Sequence, residues 1–319
     1  MNTRPAIPPR VAVLMSSYQG ERYVIEQLRS ILDQLPAGGC IRVRDDGSRD
    51  ATVQRIVELE DARIHVTRGD NLGFGASFLS LLAQAPDDAD MVMFADQDDV
   101  WLPGKIDRAW QWLQPLAGRP GLYGSAQMLV NAELCPMHIT PPWPRGPSLT
   151  NALTENIITG CTAAINRPAV QLLQRAGVPD GVHFHDWWLY LVVSAFGTVV
   201  YDDEPSLLYR QHGGNVIGHG AGRFGRQWGV VRFLLSNDWI GILQRQVGAF
   251  LRHYGDALSP NTRVWIFRYI LNPGHGADLS WRLVFSMRRW RQAFVGDLAL
   301  RVLLAAYKLR LWPLPGRRL

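Results

Sequence analysis

The chain has 319 residues, with 33 Lys and Arg, 28 Asp and Glu, a net charge of +5 and three Cys. That length buries a large core, as one big domain or a domain with an appendage. Cys40, Cys135 and Cys161 show no paired spacing, which excludes a disulfide framework and a cysteine zinc site. No apolar run reaches the ~18–20 residues of a spanning helix. The polar, proline-rich residues 1–10 lack the apolar core of a signal peptide, so a reducing cytoplasm is the expected setting. The charge is uneven: residues 219–319 hold 16 Lys and Arg against 4 Asp and Glu, while residues 1–218 hold 17 against 24. An acidic body that binds a nucleotide phosphate needs a metal, and a basic tail suits an anionic surface.

Val11-Ala12-Val13-Leu14-Met15 reads as a strand buried on both faces. A loop, Ser16 to Gly20, leads to a helix from about Glu21, whose Val24, Ile25, Leu28, Ile31, Leu32 and Leu35 follow helical spacing until Pro36. A second strand at 40–44 ends in Asp45-Asp46-Gly47-Ser48, and a helix is expected over 50–59. A third strand at 63–67 enters the Gly69–Gly75 loop, and a helix over 76–84 delivers the chain to Met91-Val92-Met93-Phe94-Ala95. Strands and helices alternating at this rhythm imply βαβ units and a mostly parallel sheet. Val100 to Pro103 is expected to open a helix running to 114, followed by a strand at 122–130. The proline-rich 136–150 reads as a mobile loop, then a strand over 159–165 and an apolar helix opened by His185-Asp186-Trp187-Trp188. Residues 201–205 read as a turn before a last strand at 206–212 and Gly213-Gly214-Asn215. Beyond 219 the segments become helical and rich in Arg and Trp. The division expected is a catalytic domain at 1–218 and a basic helical region at 219–319.

The Met91 strand ends abruptly in Asp96-Gln97-Asp98-Asp99. Acids ejected at the carboxyl end of a buried strand lie where open α/β folds bind ligands. Asp96 and Asp98, two apart, can face one side of the extended chain and suit Mg²⁺ or Mn²⁺, which leave positions for phosphate oxygens. An acidic loop or a helix cap is the plainer alternative, and capping is the reading favoured for Asp99.

In order along the chain, VAVLMSSYQGE (11–21), RDDGSRDAT (44–52), GDNLG (69–73), ADQDDVW (95–101), TGCTAAINR (159–167), HDWW (185–188) and YRQHGGN (209–215) resemble family 2 glycosyltransferases. Each string is weak alone, and the ordered set spans about two thirds of the chain. The last strings are most similar to bacterial rhamnosyltransferase-like members. The resemblance implies a GT-A fold, an α/β Rossmann-like sheet flanked by helices. It also implies inverting transfer of a sugar from a nucleotide-sugar, dTDP- or UDP-linked, to a glycan or lipid-linked acceptor in surface polysaccharide assembly, with no nucleic-acid partner. By position it implies that Ser17, Tyr18 and Glu21 hold the base, that Asp46 accepts from the pyrimidine N3–H, and that Asp96 lies near the ribose. Asp98 and His212 would hold the metal, Arg210 would offset leaving-group charge, and Asp186 would be the catalytic base. Trp187 and Trp188 are core or acceptor-shelf aromatics, with packing favoured for Trp188.

The sequence departs from the family in carrying His185 where Glu is usual, and in lacking a Gln-x-x-Arg-Trp signature. The second departure favours single-sugar transfer over processive synthesis. Two other readings stay open: a GT-A scaffold without turnover, and a metal-dependent nucleotidyltransferase, which would want a basic Gly-rich loop after the first strand. The basic C-terminal region is expected to meet the inner membrane face, or else to pack on the catalytic body or a second subunit.

Overall fold

The computed structural model describes residues 8–212, 238–272 and 278–309. Two compact units divide the chain. One takes Met1–Pro142, Ile158–Val178 and Phe184–Gly214; the other takes Trp143–Ile157, Pro179–His183 and Asn215–Leu319. The elements run β1 (Val11–Ser17), α1 (Val24–Leu32), β2 (Cys40–Asp45), α2 (Thr52–Val57), β3 (Ile64–Arg68), α3 (Phe74–Ala83), β4 (Met91–Ala95), β5 (Val100–Trp101) and α4 (Lys105–Leu113). Then come β6 (Gly121–Val130), β7 (Pro136–Ile139), the second unit's α5 (Leu149–Ala152), β8 (Ala164–Asn166), α6 (Arg167–Gln174), α7 (His185–Phe196) and β9 (Thr198–Arg210).

One nine-stranded sheet in the order β3-β2-β1-β4-β8-β6-β9-β5, with β7 on β6, forms the first unit. β1 to β4 pair in parallel, whereas β8 runs antiparallel between β4 and β6. Burial explains the parallel half. Met91 to Ala95 of β4 are all buried, as are Val11 to Met15 of β1, so neither strand has a water-facing side. Val24, Leu28 and Ile31 of α1 close the core over Val13, Met15, Val43 and Met93. Register then sets the site. Ser17 stands opposite Asp45, and Met15 opposite Ala95, so the loops after β1, β2 and β4 share one sheet edge.

Several expectations are corrected. Val100–Trp101 is a short strand, antiparallel to Leu207 and Leu208 of β9, and the helix starts only at Lys105, after Gly104 in the left-handed region. Residues 201–205 do not turn. They lie inside the 13-residue β9, which pairs with β6 through a register shift at Ser125 to Met128 that accommodates Pro205. The acid that suggested a turn is satisfied within the fold: Asp202 takes a bidentate bond from Arg108, at 2.6 and 2.8 Å, and another from the Tyr123 hydroxyl at 3.0 Å. Of the expected 136–150 loop, Pro136–Ile139 pairs with β6, and α5 begins after Ser148, whose side chain accepts from Asn151 N. In 159–165, Gly160–Thr162 is a 3₁₀ turn, and only Ala164–Asn166 is strand.

In the second unit the helices Trp239–Tyr254, Pro260–Tyr269, Trp281–Phe285 and Phe294–Lys308 accompany residues 143–157. Arg291 donates to Thr154 O at 2.7 Å and pairs with Glu155, and Gln292 donates to Gly146 O at 2.8 Å. Backbone contacts thus bind the earlier segment. No described helix is long and apolar enough to cross a membrane. The Gly213-Gly214-Asn215 turn and the start of the basic region, 219–237, lie outside the described residues.

Candidate active site

The acidic loop 96–99 is held from three sides. From α1, Gln27 Nε2 donates to Asp96 O at 3.0 Å, and Ser30 Oγ accepts from Trp101 N at 3.0 Å. From the loop after β1, Tyr18 exchanges two bonds with the Gln97 side chain, each 2.9 Å. Gly20 permits this clamp, because a Cβ there would stand 2.1 Å from Gln97 Oε1. From β9, Arg210 N donates to Asp99 Oδ1 at 3.2 Å. Because β5 pairs with β9, the acids after β4 and the residues ending β9 are neighbours although more than a hundred positions apart.

That pairing brings together the two side chains expected to hold metal. Asp98 Oδ2 and His212 Nε2 lie 2.7 Å apart, each about one-fifth exposed. The His212 ring stacks on Tyr23, with centroids 5.2 Å apart. One carboxylate oxygen and one imidazole nitrogen converging at a half-open edge form a donor set that fits a divalent ion such as Mn²⁺.

Asp186 is the second residue of α7. Its Oδ2 accepts from Gly160 N at 3.1 Å and its Oδ1 from Trp187 N at 2.7 Å. Asp98 and Asp186 both push the Asp96 carboxyl upward, after burial as the main cause, to about 7. Three carboxyls therefore crowd one place, from the loop after β4 and the start of α7. Next to the half-buried Asp96 lie two fully buried groups, Asp99 and Cys161. Asp96, Asp99 and Cys161 bring ligand atoms within 4.8 Å of one another. Burial pushes the Asp99 carboxyl and the Cys161 thiol well up, so the thiol stays protonated at neutral pH. Lys105, 1% exposed, donates to Cys161 O at 2.6 Å and stands over the Trp101 ring. A protonated thiol is a poor ligand, and the lysine already supplies positive charge there, so this trio supports the loop instead of binding an ion.

The other expected site residues make contacts within the fold. Asp99 caps no helix; it is 1% exposed and pins the β9 backbone. Asp46 is 2% exposed and its oxygens accept from Leu72 N, Gly73 N and Arg44, so it holds the 69–75 loop. Arg210, also 2% exposed, donates to Asp98 O at 2.8 Å and Ala132 O at 2.5 Å, pairs with Glu26 and lies over the Tyr23 ring. A guanidinium so engaged positions the acidic loop. Ser17 is buried and donates to Asp45 Oδ1 at 3.3 Å; Glu21 Oε2 accepts from Ala51 N at 2.9 Å; Tyr18 is 49% exposed. Trp187 and Trp188 are both fully buried, which makes them core.

Residues 12–118 match the model of glycosyl transferase family 2. Over that stretch the chain is similar to family 2 glycosyltransferases. The dTDP-rhamnosyl transferase RfbG of Shigella flexneri is 26% identical over 226 residues, covering 64% of this chain and 73% of that protein. The UDP-Glc:alpha-D-GlcNAc-diphosphoundecaprenol beta-1,3-glucosyltransferase WfgD of Escherichia coli is 25% identical over 238 residues, covering 71% and 87%. Among solved structures, S. aureus TarS 1–349 in complex with UDP-GlcNAc superposes with a TM-score of 0.56 at 14% identity, covering 94% of this chain and 92% of that one. That likeness is one of fold, and the fold is GT-A. The family 2 match ends at residue 118, before Cys161, Asp186 and His212.

Sequence reasoning missed Gln97 as a clamp, Lys105 as a buried cation and Tyr23 as the His212 platform. It gave no environment for His185, which stands where the family usually has Glu. His185 is 5% exposed, stacks on Phe78 at 4.1 Å, and has neither ring nitrogen bonded among the described residues. Burial alone lowers its pKa to about 3. Between that value and the ordinary 6.5, the unfolded chain binds a proton on His185 that the folded chain refuses. Stability therefore falls as pH drops below 6.5, by about 1.4 kcal/mol per pH unit for this residue. His185→Leu should remove that slope between pH 6.5 and about 4 while costing less than about 1.5 kcal/mol at neutral pH. Urea unfolding of both proteins across that range checks it, since the carboxylates common to both cancel. Equal slopes would mean that His185 titrates normally.

Proposed function

We propose that this protein is an inverting, metal-dependent glycosyltransferase that moves one sugar from a nucleotide-sugar to an acceptor hydroxyl in the assembly of a surface polysaccharide or glycolipid. The observation that carries the reading is the meeting of Asp98 with His212 at 2.7 Å, with Asp186 close enough to act on Asp96. Inversion needs one base on the acceptor side and a stabilised leaving group, with no enzyme nucleophile. Asp186 takes the acceptor proton as the oxygen attacks the anomeric carbon in line. Mg²⁺ or Mn²⁺ held by Asp98 and His212 would supply counter-charge for the departing diphosphate. Tyr18, Ser17 and Glu21 line the nucleotide side after β1, Asp96 faces the ribose, and Asp46 and Arg210 hold the loops that shape the pocket. Hydrolysis is disfavoured because these acids suit a nucleotide site and supply no second carboxylate across a scissile bond.

For the donor we propose dTDP-rhamnose, on the similarity to RfbG; the similarity to WfgD makes a UDP-hexose the second choice. A panel of dTDP-, UDP- and GDP-sugars, each assayed for binding and turnover with Mn²⁺, Mg²⁺ or chelator, tests the reading. Metal-dependent turnover of one nucleotide-sugar is the expected result. Binding without turnover of any donor would support a scaffold, and incorporation from a nucleoside triphosphate would support a nucleotidyltransferase.

A further inference from the structure

The helix Phe294–Lys308 is apolar on two faces. Leu300, Leu303 and Leu304 are buried with Gly296 and Asp297. On the other side Phe294 is 67% exposed, Val295 41%, Leu298 51%, Val302 61% and the following Leu309 59%. At about 100° of rotation per residue these five lie within an arc of about 100°, opposite the buried set. A soluble helix normally carries polar groups there. Beside it in the same unit, helix Trp281–Phe285 leads to two more exposed groups, Phe285 at 76% and Met287 fully exposed. Single exposed apolar side chains are ordinary, but a continuous set of this size marks a contact surface.

Charge identifies what the surface meets. Trp265, Arg268, Tyr269, Arg282, Phe285 and Arg288 line an open cavity of about 460 Å³, with Met287 and Ser286 at its wall. Arg288 lies over the Trp265 ring at 5.3 Å and Arg268 over Tyr269 at 5.9 Å. Four acids of this unit pair with other arginines: Glu155 with Arg291, Asp238 with Arg245, Asp256 with Arg263, and Asp297 with Arg301. Among the described residues none of Arg268, Arg282 and Arg288 has a carboxylate partner. The partner must therefore present anions beside an apolar body. A second copy of this chain meeting the first through the same face would bring the same arginines, since residues 219–319 carry 16 basic and only 4 acidic side chains, and like charges repel.

We infer that this unit docks on an anionic phospholipid bilayer, with the exposed face of the Phe294–Lys308 helix and Phe285–Met287 in the interface and lipid phosphates at Arg268, Arg282 and Arg288. Guanidinium groups bind phosphate oxygens bidentately, and aromatic faces hold the arginine planes in place. The arrangement joins the two requirements of an interfacial helix, buried apolar area and attraction to anionic headgroups. It does not depend on sugar transfer, so its test needs no donor.

The full chain is sedimented with phosphatidylcholine vesicles, with and without phosphatidylglycerol, at low and high salt. Binding to the phosphatidylglycerol vesicles at low salt, weakening with salt, is expected. Arg282→Gln with Arg288→Gln should lower partitioning about 30-fold, at about fivefold per basic side chain. Leu298→Ser with Val302→Ser should lower it by roughly tenfold or more at either salt. Both pairs are at exposed positions, and unchanged melting temperatures establish that the variants fold. Indifference to phosphatidylglycerol vesicles at low salt, or equal binding to both vesicles, overturns the inference. So does a dimer in sedimentation velocity that Leu298→Ser with Val302→Ser dissolves, which would make the face a self-interface. Arginine-dependent binding of inorganic phosphate without vesicle binding would make the cavity a free-anion site and overturn it too.

Discussion

Asp186→Asn is expected to lower the rate of sugar transfer by about two orders of magnitude or more, the usual worth of a positioned base. The residue stands at the start of α7, where the helix N-terminus and the N–H groups of Gly160 and Trp187 stabilise negative charge. The plainer role, holding the helix end, predicts a different outcome. Asn keeps one carbonyl oxygen and can retain the Trp187 bond, but its amide would turn a donor toward Gly160 N. One hydrogen bond is lost, at about 1 kcal/mol of stability, a loss that leaves the folded population nearly complete at room temperature. Transfer would then fall little. Nucleotide affinity should also stay near that of the unaltered protein, because Asp186 faces the acceptor in the proposed mechanism. Single-turnover rates at saturating donor, beside donor binding and unfolding curves, separate the two. Transfer by Asp186→Asn at a near-normal rate would leave it a structural carboxylate. His185 could not then take over as base, since it is buried under Phe78 and its pKa is lowered to about 3.

The strands that carry the site were readable because they are buried on both faces. Met91 to Ala95 and Val11 to Met15 have no polar position, and each ends where acids or small polar residues begin. The elements that were misread share a cause, which is polar groups satisfied by distant partners. Asp202 and Pro205 carry turn chemistry locally, but Arg108 and Tyr123 bind the acid, and a bulge opposite Ser125 to Met128 absorbs the proline. Lys105 reads as an ordinary surface lysine opening a helix, and only the fold sets it against Cys161 O beneath the acids. Asp46 and Arg210 show the same limit from the opposite side. Both were given ligand-facing roles by position, and both also bind neighbours within the fold, Leu72 and Gly73 for one and Asp98 O and Ala132 O for the other. A string of residues reports what a side chain can donate or accept, and not whether the fold has already taken it.

Asp98→Ala should reduce transfer by about 100- to 1,000-fold, the scale on which a bound cation stabilises a departing phosphate, and should abolish the effect of added Mn²⁺ or Mg²⁺ on nucleotide-diphosphate binding. The structure makes this a clean substitution. The Asp98 main chain keeps its contact, because Arg210 Nε donates to the carbonyl oxygen. Asp96 O still accepts from Gln27, and the Gln97 clamp on Tyr18 is untouched. Only the carboxylate leaves, and with it the partner of His212 Nε2. The cleft also becomes less acidic, so plain electrostatics would favour anion binding in the variant. A fall in diphosphate affinity therefore runs against the change in charge and points to a lost cation. His212→Ala should weaken metal-dependent binding less, since the carboxylate supplies the charge and the imidazole only a neutral ligand atom. Calorimetric titration of a nucleoside diphosphate, with and without Mn²⁺, reads each of these differences directly. If Asp98→Ala transfers at the full rate, or if chelation leaves the unaltered protein fully active, Asp98 and His212 are a hydrogen-bonded pair that closes the β4–β9 edge, and the counter-charge for the leaving diphosphate must come from elsewhere.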